Sequence, residues 1–260
     1  ITTTNINIPV LTSFDGIVWT STGEVATFDH IPFDLEAFDS SVLSCPQLPI
    51  QKAANFTNGT VLVGPKIVFS SDEINYNVVY QTQSKLTNIY YDVQYINSNN
   101  FEGFIIVGRG DEVISGAGTA NPTIQTYAKV FTSVDGTTWI QQIPSLTTNV
   151  LYTVTASDTL LVTSGENAVI FYSINGYNWA QGSISGTPIT TTIRSSSYGN
   201  GKYVLVGDNG TILVSSDGMT YTQVTDSNIT TEDLYQVIFD GSHFVIVGTN
   251  NTILRSSNGT

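Results

Sequence analysis

Residues 203–221, YVLVGDNGTILVSSDGMTY, and residues 244–260, FVIVGTNNTILRSSNGT, decide the fold, because they are two copies of one pattern. Each runs as an apolar strand, a glycine turn, a second apolar strand and then Ser-x-Asp/Asn-Gly. Upstream of each lies a further strand and turn, YGNG before Lys202 and FDGS before His243. The same pattern fits residues 150–179 and 90–108. Residues 50–76 keep every strand but carry Asp72-Glu73 in place of Asp-Gly, and residues 10–28 keep the first three strands. With the centre of the second strand as marker, the copies fall at Trp19, Leu62, Ile105, Leu161, Val204 and Val245, at intervals of 43, 43, 56, 43 and 41. The long interval holds an insertion over residues 109–126.

Four short strands repeated about every 42 residues predict an all-β fold, a six-bladed β-propeller of four-stranded antiparallel blades. The repeat units are 10–49, 50–89, 90–149, 150–190, 191–231 and 232–260, in one domain spanning 1–260. Helical repeats do not fit, since no apolar period of 3.6 runs through the chain. The last copy stops at SSNGT, and residues 1–9, ITTTNINIP, are β-prone without a sheet of their own. Joined end to end the two read like SSDGMTYTQV, so the N-terminal segment is expected to close the last blade and remove an open edge. Trimming of the chain, with more blades following, is the rival explanation.

The turns SVDGTTW (133–139), SINGYNW (173–179) and SSDGMTY (215–221) are expected as two-residue type I′ hairpins, which suit Asp, Asn and Gly at positive φ. Trp139, Trp179 and Tyr221, at one repeat position, are expected between neighbouring sheets. Of six Asn-x-Ser/Thr sequons, at Asn55, Asn58, Asn209, Asn228, Asn250 and Asn258, several read NGT, and turn chemistry accounts for most of them.

Composition narrows the function. Apolar residues make up 40% and charged ones 11%, against roughly 25% charged in an average domain. The surface is therefore rich in Ser, Thr, Asn and Gly, as suits an extracellular, cell-surface or virion-associated protein. Net charge is −13, and no Lys/Arg cluster exists to meet phosphate, which argues against nucleic acid and anionic membranes. No apolar run approaches the ~20 residues of a membrane helix. The first residues lack the basic start and apolar stretch of a secretory signal. Cys45 is the lone cysteine, so no intrachain disulfide and no cysteine-based metal site is expected.

The Ser-x-Asp-Gly-x-x-Trp turns resemble Asp-box (BNR) repeats of sialidase-like and photosystem II assembly factor-like propellers. The resemblance covers nearly the whole chain at repeat level, with one residue fewer between Asp and Gly than the usual box. It implies a fold, with the boxes on turns away from the usual ligand face. A sialidase needs an arginine triad and an early Arg-Ile-Pro. Here HIP (30–32) and QIP (142–144) lack the arginine, and the only arginines are Arg109, Arg194 and Arg255.

Candidate site residues follow from loop placement. Asp29, Asp34, Glu36 and Asp39 gather oxygen ligands that suit Ca²⁺, although no DxDxDG-type run orders them and a solvated acidic loop is the simpler account; no other cofactor is expected. His30 and His243 are too far apart in sequence to suggest zinc. Arg109-Gly110-Asp111 spells an integrin-type tripeptide, a three-residue match that chance supplies often. Arg109, Asp111 and Glu112 open the insertion, and Arg194 sits in an innermost strand facing the channel. These four make the expected ligand site, since long loops on that face carry function. The expected function is a non-catalytic binding or structural module that recognises a glycan or a protein partner, alone, as an oligomer or within a larger assembly. The alternatives are a glycan-active hydrolase with channel-mouth carboxylates and an assembly-factor scaffold.

Overall fold

A computed structural model describes residues 9–12, 20–25, 51–57, 59–72, 77–80, 88–115, 123–142, 147–225 and 229–260. Among them every long element is a strand. β1 (Pro9–Thr12) and β2 (Thr20–Val25) form a two-stranded sheet. The second sheet holds β3 (Lys52–Phe56), β4 (Gly59–Val63), β5 (Ile67–Ser70) and β6 (Asn77–Tyr80), and the third β7 (Asn88–Asn97), β8 (Glu102–Ser115), β9 (Thr123–Ser133) and β10 (Ile140–Gln142). The fourth holds β11 (Leu151–Ala156), β12 (Leu161–Gly165), β13 (Ile170–Ser173) and β14 (Ala180–Gln181). β15 (Ser183–Ser185) joins the fifth sheet, with β16 (Ile193–Gly199), β17 (Lys202–Gly207), β18 (Ile212–Ser215) and β19 (Thr220–Gln223). β20 (Leu234–Phe239), β21 (Phe244–Gly248) and β22 (Ile253–Ser256) form the last, three-stranded among the described residues. Apart from β15, the strands of each sheet form an antiparallel meander, and the first strands of successive sheets lie side by side: β3 on β7, β7 on β11, β11 on β16 and β16 on β20.

The second strand of a sheet is apolar on both sides because it is covered on both. Along β8, Phe104 and Ile106 face the second sheet with Val61, Val63 and Ile67, while Ile105 and Val107 face the fourth with Leu151, Val154 and Leu161. The two-residue period of a strand forces this alternation. Equivalent layers join the fourth sheet to the fifth through Val162, Ile170, Leu205 and Tyr221, and the fifth to the last through Val204, Val206, Leu234 and Phe244. Trp139, Trp179 and Tyr221 border these layers, as their repeat position implies.

The Ser-x-Asp/Asn-Gly turns differ from the expected type I′ hairpins. Positive φ occurs at Gly136, Gly176 and Gly218 but not at Asp135, Asn175 or Asp217. The ladder closes as far out as Thr132–Ile140, Tyr172–Ala180 and Val214–Thr222, so the loops are wide. The cause is the aspartate itself. Asp135 Oδ1 accepts the N–H groups of Thr137 and Thr138, both at 2.8 Å, and Ser133 Oγ accepts that of Gly136 at 2.9 Å. A carboxylate serving two amides needs a larger loop than a two-residue hairpin offers. Those amides, Thr138 first, hold the Asp135 carboxylate well below the usual range. The type I′ pattern occurs instead at Asn200-Gly201, with φ of 46° and 70°, between β16 and β17.

Two features depart from a simple repeat. The insertion, expected as a loop, continues β8 and β9 as a paired ribbon out to Ser115 and Thr123. A single stitch also links two sheets: β14 pairs with β13, and after Gly182 the chain continues as β15, parallel to β19 of the next sheet.

At the start of four first strands one residue stands out of register. Tyr91, Tyr152, Arg194 and Tyr235 lie at bulges, flanked by residues that pair with consecutive residues of the second strand. Opposite each bulge stands glycine: Gly108, Gly165, Gly207 and Gly248. A Cβ at Gly165 would collide with the Val150 carbonyl oxygen, and one at Gly207 with that of Thr192. The bulge brings backbone against backbone, and only glycine leaves room. Gly165→Ala should therefore lower stability by about 3 kcal/mol, read as a shift in urea midpoint at unchanged slope. Gly186→Ala, where nothing lies within 4 Å and only the φ of +93° resists, should cost about 1 kcal/mol.

Candidate functional site

The bulges and the residues that follow the glycines meet at one end of the sheets. Arg109, Glu166, Asp208 and Thr249 each come directly after one of those glycines. The connecting turns dock on the chain just before the bulge, with Glu166 N–H donating to Val150 O (2.9 Å), Asp208 N–H to Thr192 O (3.0 Å) and Thr249 N–H to Asp233 O (2.8 Å). Asn167, Asn209 and Asn250, at φ of 51–55°, complete these turns, which accounts for the Asn-x-Thr sequences at Asn209 and Asn250 by turn geometry. The result is a row of bulge residues, two of which, Tyr152 and Arg194, bond to a residue from a connecting turn.

Tyr152 Oη donates to Glu166 Oε1 at 3.3 Å, while Glu166 Oε2 accepts the Val150 N–H at 2.9 Å. Tyr91 lies against Tyr152, ring centroids 4.7 Å apart. Burial pushes the Tyr152 hydroxyl up to about 12, with Glu166 and Tyr91 adding and Arg109 opposing. Tyr91 is raised by burial too, again against Arg109. Further along the row, Arg194 Nε donates to Asp208 Oδ1, and its guanidinium lies 5.4 Å from the Tyr235 ring centroid. That bond to Asp208 raises the Arg194 pKa. Tyr235 is half exposed.

Beneath the row a second, buried tier ties the first strands together. Asp92 accepts from Val93 N–H (2.9 Å) on its own strand and from Thr153 Oγ1 (3.2 Å) and Val154 N–H (2.9 Å) on the next. Thr153 Oγ1 lies 2.7 Å from Ser196 Oγ, and Ser195 Oγ accepts the Val237 N–H at 3.2 Å. Lys52 Nζ stands 3.9 Å from Asp92 Oδ1. Burial pushes the Asp92 carboxyl up; Lys52 and the three donors oppose it.

The four residues expected from sequence do not converge. Arg109 stands beside Tyr91 and Tyr152 at the base of the ribbon. Asp111 lies two residues further out and accepts Thr126 Oγ1 at 2.7 Å. Glu112, one residue on, belongs to the other face of the ribbon and pairs with Lys129. Arg194 is in the row, two sheets away. The Arg109-Gly110-Asp111 tripeptide is paired strand, with Gly110 opposite Tyr127, rather than a loop apex. Asp29, Asp34, Glu36 and Asp39 lie outside the described residues, and among the described residues no three His, Cys, Asp or Glu side chains gather to hold a metal ion. Tyr91, Tyr152, Tyr235, Glu166 and Asp208 were not singled out from sequence. Their signal is the G-E-N, G-D-N and G-T-N of the connecting turns aligned against Leu-Tyr, Ile-Arg and Leu-Tyr of the first strands.

No family model matches the sequence, and no curated protein matches it. Solved structures do resemble the fold. YCF48 bound to D1 peptide superposes with a TM-score of 0.55 at 14% identity, over 82% of this chain and 68% of that one. The WD40 β-propeller domain of Doa1 gives 0.51 at 10% identity, over 82% and 67%. An ancestral GH74 enzyme gives 0.50 at 8% identity, over 80% of this chain but 31% of the enzyme. At these identities the likeness establishes the fold alone: the chain is a β-propeller.

The buried tier can be tested by pH. An Asp92 carboxyl raised by burial favours its protonated form in the folded state. That contribution is fully present below the unfolded value of about 3.9 and is lost as pH rises through the folded value. The stability of Asp92→Asn relative to wild type, in urea titrations, should therefore improve as pH is raised from about 4 and level off once the folded-state carboxyl is ionised. A constant offset would mean that the carboxyl is not raised.

Proposed function

We propose that this chain is a non-catalytic binding module that engages a protein partner through the bulge row at the channel mouth. The observation that carries this is the composition of the row. Tyr91, Tyr152, Arg194 and Tyr235, with Arg109 beside them, are tyrosines and arginines on a rigid backbone, the side chains that dominate binding energy at protein interfaces. Strands and bulges hold them, so little ordering entropy opposes binding. A fold neighbour whose structure contains a peptide is in keeping with this reading. Hydrolysis fits less well, because Asp92, the carboxyl raised by burial among the described residues, is enclosed beneath the row.

Three further elements belong to the same proposal. The wide serine–aspartate turns are Asp-box-like supports at the ends of the sheets away from the row. The ring has six blades, residues 1–9 supplying the outer strand of the last, as the match of SSNGT-ITTTNINI to SSDGMTYTQV suggests. The place of action is an extracellular, cell or virion surface, in keeping with a surface of Ser, Thr and Asn and few charges.

The test is a parallel screen of tiled peptide and glycan arrays, with every hit measured against point variants. Tyr152→Ala and Arg194→Ala should each weaken a peptide hit at least about tenfold. Met219→Ala, on a turn at the other end of the sheets, should leave it unchanged. Hits confined to glycans, or equal loss with Met219→Ala, would overturn the proposal.

A further inference from the structure

Four Asn-Gly pairs fall among the described residues, at Asn175, Asn200, Asn209 and Asn258, and the structure treats one of them differently. In three, the glycine N–H is committed. Gly176 donates to Ser173 Oγ at 2.9 Å, Gly210 to Glu232 O at 2.8 Å and Gly259 to Ser256 Oγ at 2.9 Å. In Asn175 and Asn258 the side-chain oxygen is also held, accepting Tyr177 and Asn178 N–H in one case and Thr260 N–H in the other. At Asn200-Gly201 the hairpin bond belongs to the flanking pair, Gly199 with Lys202, and the Gly201 N–H has no partner among the described residues. Both residues are exposed, and space around Gly201 is open to at least 4 Å. The Asn200 side chain makes one bond: Nδ2 donates to Ser257 O of the last sheet's turn at 3.1 Å.

We infer that Asn200-Gly201 is a site of spontaneous deamidation whose conversion releases a latch between the fifth sheet and the last. The Gly201 nitrogen gives up its proton and attacks Asn200 Cγ. The Cγ–Nδ2 bond breaks and Nδ2 leaves as ammonia, giving a cyclic imide. Water then opens either carbonyl of the imide, leaving aspartate or its isoaspartyl isomer. Attack needs a free, deprotonated nitrogen, and an amide already donating a hydrogen bond gives that up at a cost. Neither product offers a donor to Ser257 O. Each places a carboxylate near that carbonyl instead, and the isoaspartyl form also adds a carbon to the backbone of a tight turn.

The experiment incubates the folded protein in heavy-oxygen water at mildly alkaline pH and follows all four pairs by peptide mass spectrometry. Asn200 should convert about tenfold faster than Asn175, Asn209 or Asn258, the effect of one hydrogen bond on the barrier. In urea the four rates should converge. Equal rates in the folded protein, or a faster Asn209, would overturn the site. The latch is read separately on Asn200→Asp by hydrogen exchange. Amides of β21 and β22 should exchange about fivefold faster, as loss of one hydrogen bond implies, with β11–β13 unchanged. Unaltered exchange in β21 and β22 would overturn the latch, and Gly201→Ala should slow conversion at Asn200 in urea as well as in the folded protein, because a methyl group hinders the attack without removing the nitrogen.

Discussion

Where the second strand of each of four sheets passes the start of the first, there is room for a hydrogen atom and nothing larger. The glycines at 108, 165, 207 and 248 meet that limit, and much of the molecule's inner surface follows from it. Close approach lets the first strand carry one extra residue. The extra residue leaves the ladder, at the end of the sheet where the connecting turn docks. The residues after it regain register one step later, which places Asp92, Thr153 and Ser195 in position to reach the neighbouring sheets. A backbone contact thus sets both the exposed row and the buried tier beneath it.

The two ways in which sheets are joined divide the work. Away from the axis, apolar layers such as Ile105 and Val107 against Leu151 and Val154 supply most of the favourable free energy, but they are non-directional. Near the axis, hydrogen bonds from one first strand to the next fix how the sheets align, because their geometry tolerates little slip. Asp92 illustrates the balance. Its burial is unfavourable in itself, and three donors with Lys52 offset that cost while joining three sheets.

Much of this fold was legible in the sequence, and the reasons are specific. Runs such as VLVG and VIVG announce strands covered on both faces, and their spacing announces the repeat. The turn residues of 133–139 and 173–179 were recognisable, but their conformation was not. Asp-Gly suggests positive φ at two residues until the aspartate's bonds to two amides are seen. Bulges were missed for a different reason, their one trace being the repeated glycine of the connecting turns. One extra residue alters pairing between strands and leaves no other mark on the composition of either, so Tyr91, Tyr152 and Tyr235 read as ordinary strand aromatics. Glu112 was grouped with Arg109 and Asp111 by nearness in sequence, and strand alternation then sent it to the other face. The ribbon was read as a loop because the long interval between repeats marks extra residues without showing that they pair, as Thr126 and Lys129 do with Asp111 and Glu112.

The stitch at Gly182 bears on the order in which the chain can assemble. Successive repeats could each complete themselves as they are made, if every strand paired only within its own unit. β15 departs from that rule, since its partner β19 is reached only after β16, β17 and β18 have been laid down. The segment after β14 therefore has no native strand partner until β19, four strands further along the chain. The native pairing thus ties the fourth and fifth sheets through the chain that joins them, so the ordering of β15 depends on β19 being in place.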